Sequence, residues 1–122
     1  MGKIIAIGGG FPNFFLADHV MGLTDKKNPN YLQIPTTSFD AIDRGMLSAF
    51  FNDGCNVDTL LLTQPYITEE LVAEKIRWAD FINVPGGNLG YVMDVWKRTH
   101  ADKYLKEAFE EGKVLFGTSS GS

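Results

Sequence analysis

Five short apolar segments, separated by stretches with the spacing of amphipathic helices, organise this chain. The segments lie near residues 3–7, 31–34, 57–62, 81–84 and 114–116. They are apolar along most of their length rather than at alternate positions, which is typical of parallel strands buried on both faces. The pattern predicts the order β-α-β-α-β-α-β-α-α-β. We therefore expect an α/β fold, in which helices cover both faces of a doubly wound parallel sheet.

Several of the predicted helices have recognisable first and last residues. Ser38 is expected to cap the second helix, whose apolar stripe would comprise Phe39, Ile42, Met46, Leu47 and Phe50. Asp53-Gly54 would end that helix, because glycine suits the left-handed backbone that commonly follows a helix. Thr68, followed by two glutamates, is expected to begin the third helix. A break near Thr99-His100 should separate the fourth helix from the fifth.

Composition excludes several classes of protein. The 122 residues are 44% hydrophobic and 21% charged, which predicts a single domain over residues 1–122. The net charge is −4 and no basic cluster is longer than Lys26-Lys27, so no nucleic-acid partner is expected. No apolar run approaches the ~20 residues of a membrane helix, so no membrane partner is expected either. The single cysteine, Cys55, is expected to be buried and fits a reducing compartment, which favours the cytoplasm.

Small and polar residues follow four of the five predicted strands, in segments 8–10, 35–38, 85–88 and 117–120. Ligands of parallel sheets bind beyond the carboxyl ends of the strands, so these segments should converge on one site. Gly8-Gly9-Gly10 does not begin a dinucleotide fingerprint, because Asn13 stands where the third glycine is needed. No cofactor is therefore expected, and no spacing typical of metal ligands is present.

The last predicted strand leads into Gly117-Thr118-Ser119-Ser120-Gly121, which has the G-x-S-x-G pattern of a nucleophile elbow. In acyl transfer such a serine attacks the substrate, while two backbone N–H groups stabilise the oxyanion. Ser119 is the candidate nucleophile, and the N–H groups of Ser120 and Gly87 are the candidate donors. The fourth and fifth strands are expected to be neighbours, because a helical crossover joins them, and this would bring Gly87 near Ser119. The alternatives are a chance match in a serine-rich tail and, for residues 85–88, a plain helix-entry turn capped by Asn88.

A serine nucleophile also needs a base. The chain has two histidines, His19 in the first helical stretch and His100 at the predicted helix break. Neither follows a predicted strand beside the elbow, so both are expected to be structural or exposed rather than catalytic. The carboxylates are spread along helix faces and show no paired spacing.

Four motifs, in this order, resemble peptidase E, a family of aspartyl dipeptidases related to cyanophycinase. They are IIAIGGG near the N-terminus, IPTTS after the second strand, PGGN after the fourth and LFGTSSGS at the end. The resemblance covers the whole chain and implies a flavodoxin-like fold similar to the class I glutamine amidotransferases, with serine in place of their cysteine. It also implies Ser119 as the nucleophile, Gly87 and Ser120 as the oxyanion hole, and Asn88 as a substrate-binding residue. The implied substrates are dipeptides with an N-terminal aspartate.

The chain departs from the family pattern in three ways. Ser120 stands where the family usually has alanine, and Leu89 where many members have threonine. The family's histidine and acidic residue follow the elbow, and here nothing follows it. We therefore expect an N-terminal portion of a peptidase E-like protein, truncated after the fifth strand and inactive alone. Its expected partners are a small peptide substrate and either the missing C-terminal portion or a second copy of itself.

Two other functions remain open at this stage. The chain could be a non-catalytic α/β binding module that keeps the pocket without the base. It could also be a nucleotide- or effector-binding flavodoxin-like domain, which the missing phosphate fingerprints disfavour. Cleavage of aspartyl dipeptides, by the chain alone and with an added C-terminal portion, separates the enzyme from the binding module.

Overall fold

The structure, a computed structural model, describes residues 3–7, 13–85 and 89–118. The five strands are β1 (Lys3–Ile7), β2 (Asn30–Gln33), β3 (Asn56–Thr59), β4 (Phe81–Pro85) and β5 (Val114–Thr118). The helices are α1 (Asn13–Met21), α2 (Arg44–Asn52), α3 (Glu69–Trp78), α4 (Leu89–Thr99) and α5 (Ala101–Glu110), and a 3-10 turn occupies Pro35–Ser38. Within the described ranges, no helix has both the length and the apolar character needed to cross a membrane.

All five strands belong to one parallel sheet with the order β1-β5-β4-β2-β3. The predicted α/β architecture is therefore confirmed. The strand bounds differ most at β3, which was expected to reach residue 62 and ends at Thr59. Leu60 and Leu62 are nevertheless buried, so the end of this apolar run packs in the core as a loop rather than as a strand.

The helices cover both faces of the sheet because the chain reverses direction across it. From β1 it crosses to β2 and on to the edge strand β3, and then returns to β4 and β5. Crossovers between parallel strands are right-handed, so a reversal of direction moves the connecting helices to the opposite face. Two separate apolar clusters match this arrangement. One joins the sheet to α1 and α2, and the other joins it to α3, α4 and α5.

Ser38 does not cap α2, and that prediction is wrong. Pro35–Ser38 forms a 3-10 turn of its own, which ends because Phe39 and Asp40 adopt left-handed backbone conformations. The helix begins later, at Arg44, and Asp43 is its cap, since the Asp43 carboxylate accepts a hydrogen bond from Met46 N at 3.1 Å. The start of α2 is thereby moved away from the end of β2, which leaves an irregular loop at the carboxyl edge of the sheet.

Three local predictions agree with the structure. Thr68 caps α3, because its hydroxyl accepts a hydrogen bond from Leu71 N at 3.1 Å. Gly54 follows α2 with φ of +100°, a backbone region that favours glycine. Cys55 is buried beside that turn.

Candidate active site

Three strand ends lie side by side at the carboxyl edge of the sheet. Thr118, the last residue of β5, is in register with Ile7 at the end of β1 and with Pro85 at the end of β4. β5 is therefore flanked on both sides by strands that end level with it. The predicted neighbouring positions of the fourth and fifth strands are confirmed.

Gly117, the first glycine of the G-x-S-x-G pattern, lies where β5 approaches β4 closely. A Cβ atom at this position would be 3.2 Å from the carbonyl oxygen of Val84. This is closer than a carbon atom normally approaches a backbone oxygen, so either strand would have to shift to admit a side chain. The glycine thus keeps the ends of the two strands at their normal spacing, directly before the segments predicted to carry the site.

A crevice is expected between β2 and β4, because the chains that leave these two neighbouring strands lead to opposite faces. β2 is followed by α2 on one face of the sheet, and β4 is followed by α4 on the other. This is the topological switch point at which open α/β sheets bind ligands. The 3-10 turn that follows β2 lies here, and its Thr36 is fully buried. Among the described residues, Thr36 Oγ1 has no hydrogen-bond partner.

A buried polar cluster lies beneath this edge of the sheet. The Tyr31 hydroxyl accepts hydrogen bonds from Gln33 Nε2 at 3.0 Å and from Asn83 Nδ2 at 2.8 Å. The Gln33 amide also holds the backbone of Asp43, with Oε1 accepting from Asp43 N at 2.8 Å and Nε2 donating to Asp43 O at 3.1 Å. Burial raises the pKa of Tyr31 well above its ordinary value, so the hydroxyl stays protonated. The cluster fixes β2, β4 and the start of α2 relative to one another.

Sequence reasoning missed this cluster. Gln33 and Asn83 stand out only as polar residues within apolar strands. Their common role becomes visible from the register, which places Gln33 opposite Asn83.

The sequence profile of peptidase family S51 matches residues 4–122. The chain belongs to peptidase family S51. The predicted resemblance to peptidase E is confirmed at the level of the family, and the match runs from the second residue of β1 through the G-x-S-x-G pattern.

Curated relatives are consistent with membership of family S51. The uncharacterized peptidase YgaJ of Bacillus subtilis is 29% identical over 129 residues, a match that covers 100% of this chain and 55% of YgaJ. The uncharacterized peptidase Lmo0363 of Listeria monocytogenes is 42% identical over 57 residues, which cover 45% of this chain and 28% of that protein. The chain thus spans about half the length of the first of these relatives.

Two solved structures share the fold. One is a candidate peptidase E of Listeria monocytogenes, with a TM-score of 0.78 and 24% identity, covering 99% of this chain and 60% of that protein. The other is a peptidase from an acI-B1 actinobacterium, with a TM-score of 0.78 and 20% identity, covering 99% of this chain and 55% of that protein. At these identities the comparison establishes the α/β fold.

The predicted site residues Ser119, Ser120, Gly87 and Asn88 lie outside the described residues, as does the glycine run 8–10. The structure therefore describes the strands that lead to these segments, and their roles stay predictions.

His100 lines a groove beyond the carboxyl end of the edge strand β3. The groove has a volume of about 390 Å³ and is bordered by the loop after β3, the first turn of α3 and the junction of α4 with α5. His100 Nε2 is 3.4 Å from Glu69 Oε1, and Glu69 Oε2 accepts a hydrogen bond from the Tyr104 hydroxyl at 2.9 Å. β3 is three strand spacings from β5, roughly 14 Å. His19 is exposed on α1.

Metal binding has no evident site in the described part of the chain. No group of three or more histidine, cysteine, aspartate or glutamate side chains is arranged there to hold an ion.

Proposed function

We propose that this chain carries the nucleophile half of a serine-type dipeptidase site that cleaves dipeptides with an N-terminal aspartate. Ser119 is the nucleophile in this proposal, the backbone N–H groups of Gly87 and Ser120 form the oxyanion hole, and Asn88 contacts the substrate. The observation that carries the proposal is the register of Thr118 with Pro85.

Chain connectivity links that register to the chemistry. Neighbouring strands are about 4.8 Å apart, and consecutive Cα atoms are about 3.8 Å apart. Ser119 follows Thr118 directly, and Gly87 follows Pro85 by two residues. Both segments therefore start from adjacent, level points on the sheet. An oxyanion about 3 Å from each donor needs the nucleophile and the donors within a few ångströms of each other, which such starting points favour.

The substrate class rests on the resemblance and on family S51. The motifs resemble those of aspartyl dipeptidases, and one structure with the same fold is a candidate peptidase E. Serine is a weak nucleophile unless a base removes its proton. In this proposal the base and its acidic partner come from sequence beyond residue 122, since the matched relative is almost twice as long. Residues 1–122 would then be an incomplete domain that is inactive alone.

Association and location form a further part of the proposal. β1 is an outer strand of the described sheet, so its free edge offers backbone groups to further strands from a C-terminal portion or from a second copy. A cytoplasmic location is consistent with a single cysteine that has no cysteine partner in the chain.

The experiment compares two serines that are adjacent in sequence. Hydrolysis of Asp-Leu, Asn-Leu and Leu-Leu is measured for the chain alone and for a fusion at residue 122 to the C-terminal part of YgaJ that extends beyond the match. We expect the fusion to hydrolyse Asp-Leu and the chain alone not to hydrolyse it. Ser119→Ala should lower that turnover by about 1,000-fold or more, because the remaining oxyanion hole and binding contacts supply only part of the rate.

Ser120→Ala is the matched control. It removes a hydroxyl but keeps the backbone N–H, so the rate should change by less than about threefold. Equal turnover by Ser119→Ala and wild type would refute the nucleophile assignment. Robust turnover by the chain alone would show that a base lies within residues 1–122. Binding of Asp-Leu without turnover in either form would favour the non-catalytic binding module.

A further inference from the structure

Phe39 has an unfavourable backbone conformation for a residue with a side chain. Its φ and ψ are 54° and 45°, and Asp40 follows with φ of 62°. Left-handed backbone is disfavoured for such residues because the Cβ atom approaches the neighbouring carbonyl oxygen. Strain of this kind persists only where the surroundings enforce it, and it clusters at ligand-binding sites.

The surroundings of Phe39 do enforce this conformation. Phe39 N donates to Thr36 O at 3.0 Å, and Asp40 N donates to Pro35 O at 2.9 Å. The Asp40 carboxylate also accepts from Thr63 N at 3.0 Å, which ties the loop after β2 to the loop after β3. Hydrogen bonds within the turn and to the loop after β3 therefore hold the backbone at Phe39 in this conformation.

The Phe39 ring projects from this support and is 66% exposed. Its centroid is 4.8 Å from that of Tyr91, at an angle of 41°. Tyr91 lies in the first turn of α4, the helix that follows segment 86–88. The two rings form an uncharged aromatic pair, which we name the 39/91 pair, where the crevice between β2 and β4 is expected. An exposed aromatic surface of this kind gains free energy when an apolar group covers it.

The spacing of the strands that lead to the pair and to the proposed nucleophile suits a dipeptide. β2, which precedes Phe39 in the chain, is two strand spacings, about 10 Å, from β5, which precedes Ser119. An extended dipeptide spans about 7 Å along its backbone, and a large side chain reaches further. A substrate whose scissile bond lies at the ends of β4 and β5 can thus bring one side chain to the pair. An uncharged pair does not suit the aspartate carboxylate, so this is the side chain of the other residue.

We propose that the 39/91 pair is an apolar subsite for the second residue of the dipeptide, the one released as the leaving group. This inference rests on the proposed function. It specifies the substrate class as aspartyl dipeptides whose second residue is aromatic or large and aliphatic, preferred over Asp-Gly.

The test measures binding, so it can use the 122-residue chain itself. Dissociation constants of Asp-Phe, Asp-Leu and Asp-Gly are determined by NMR titration at millimolar concentrations. We expect Asp-Phe to bind about tenfold tighter than Asp-Gly, the range for one apolar side chain in a partly open site. In Phe39→Ala this ratio should fall to about 1, whereas Phe39→Leu should retain most of it because the leucine side chain is still apolar.

Phe51→Ala is the matched control, because Phe51 is a phenylalanine on α2 with nearly the same exposure, 64%. In Phe51→Ala the preference for Asp-Phe over Asp-Gly, expressed as the ratio of their dissociation constants, should equal that of wild type. A ratio that stays near tenfold in Phe39→Ala, or a wild-type ratio near 1 with all three dipeptides bound, overturns the subsite and leaves the proposed function standing. No binding of any dipeptide, either by the chain or by the Ser119→Ala form of the fusion, overturns the subsite together with the proposed function. Cleavage of Leu-Leu by the fusion as fast as Asp-Leu, with the tenfold binding ratio intact, overturns the aspartate preference and leaves the subsite standing.

Discussion

Replacing Tyr31 with phenylalanine tests the buried polar cluster that supports the carboxyl edge. The ring should stay in place, since it stacks on Phe50 with centroids 4.3 Å apart and its position is fully buried. The hydroxyl is lost, and with it the hydrogen bonds from Gln33 and Asn83. Gln33 keeps its bonds to Asp43, but the Asn83 amide loses the bond that ties it to β2.

The expected cost follows from these two bonds. A typical buried hydrogen bond contributes about 1 kcal/mol net, and a donor left unsatisfied costs about 1–3 kcal/mol. We therefore expect Tyr31→Phe to lower the free energy of unfolding by about 2 kcal/mol, which corresponds to a fall in Tm of about 8 °C for a chain of this length. Urea denaturation followed by circular dichroism measures the change. Tyr66→Phe is the matched control, because Tyr66 is 54% exposed, and its effect should stay below about 0.5 kcal/mol.

A double-mutant cycle distinguishes the cluster from a general packing effect. Among the described residues, Asn83 Oδ1 has no hydrogen-bond partner, so Asn83→Leu removes a group that is only partly satisfied. Since apolar replacement of both partners leaves nothing unpaired between them, Tyr31→Phe/Asn83→Leu should be more stable than the sum of the single changes by about 1 kcal/mol or more. A loss below 0.5 kcal/mol in Tyr31→Phe, or strict additivity in the double mutant, would refute the reasoning.

Two further predictions concern the first turn of α2 and the buried thiol. Asp43→Ala should lower the free energy of unfolding by about 1 kcal/mol in urea denaturation, because it removes the helix cap. Ser38→Ala should change the free energy of unfolding by less than about 0.5 kcal/mol. A larger loss in Ser38→Ala than in Asp43→Ala would show that Ser38 is the cap after all. Burial raises the pKa of Cys55 from 9.0 to about 11. The Cys55 thiol should therefore react with a disulfide reagent at pH 8 about 100-fold more slowly in the folded chain than in the urea-unfolded chain. Equal rates in the two states would contradict the burial of Cys55. Because the folded state holds the thiol proton more tightly, this group stabilises the fold fully below pH 9, and its contribution should be lost as the pH rises to about 11.

The alternation of apolar and amphipathic segments was sufficient to predict the α/β architecture and the neighbouring positions of β4 and β5. The pairing of β1 with β5 was not predicted, because it joins the two ends of the chain and depends on how every intervening crossover packs. The start of α2 was misplaced for a local reason. Ser38 has the chemistry of a cap, but Phe39 and Asp40 adopt left-handed conformations that propensity argues against. Asp43, three residues before Met46, was the signal that could have corrected it.

The candidate site was only partly accessible from sequence for a different reason. The glycines and serines of the candidate site are visible as motifs in the sequence. The register shows that the strands leading to two of these motifs, β4 and β5, end side by side. The sequence pattern predicts Phe39 in a helical stripe, whereas the structure shows a strained, exposed residue in the loop after β2. Backbone strain arises from contacts with distant residues such as Thr63, which a sequence pattern does not contain.

The distance between Gly87 N and Ser119 Oγ, measured in a crystal structure of the chain, tests the central claim most directly. The claim is that the level ends of β4 and β5 bring these two groups together around one oxyanion. Because the oxyanion accepts from the Gly87 N–H at about 3 Å and belongs to the carbonyl group that Ser119 Oγ attacks, the account predicts a separation of about 6 Å or less. A separation above about 10 Å, or a Gly87 N–H directed away from Ser119, would contradict the account and leave the G-x-S-x-G pattern as a chance match.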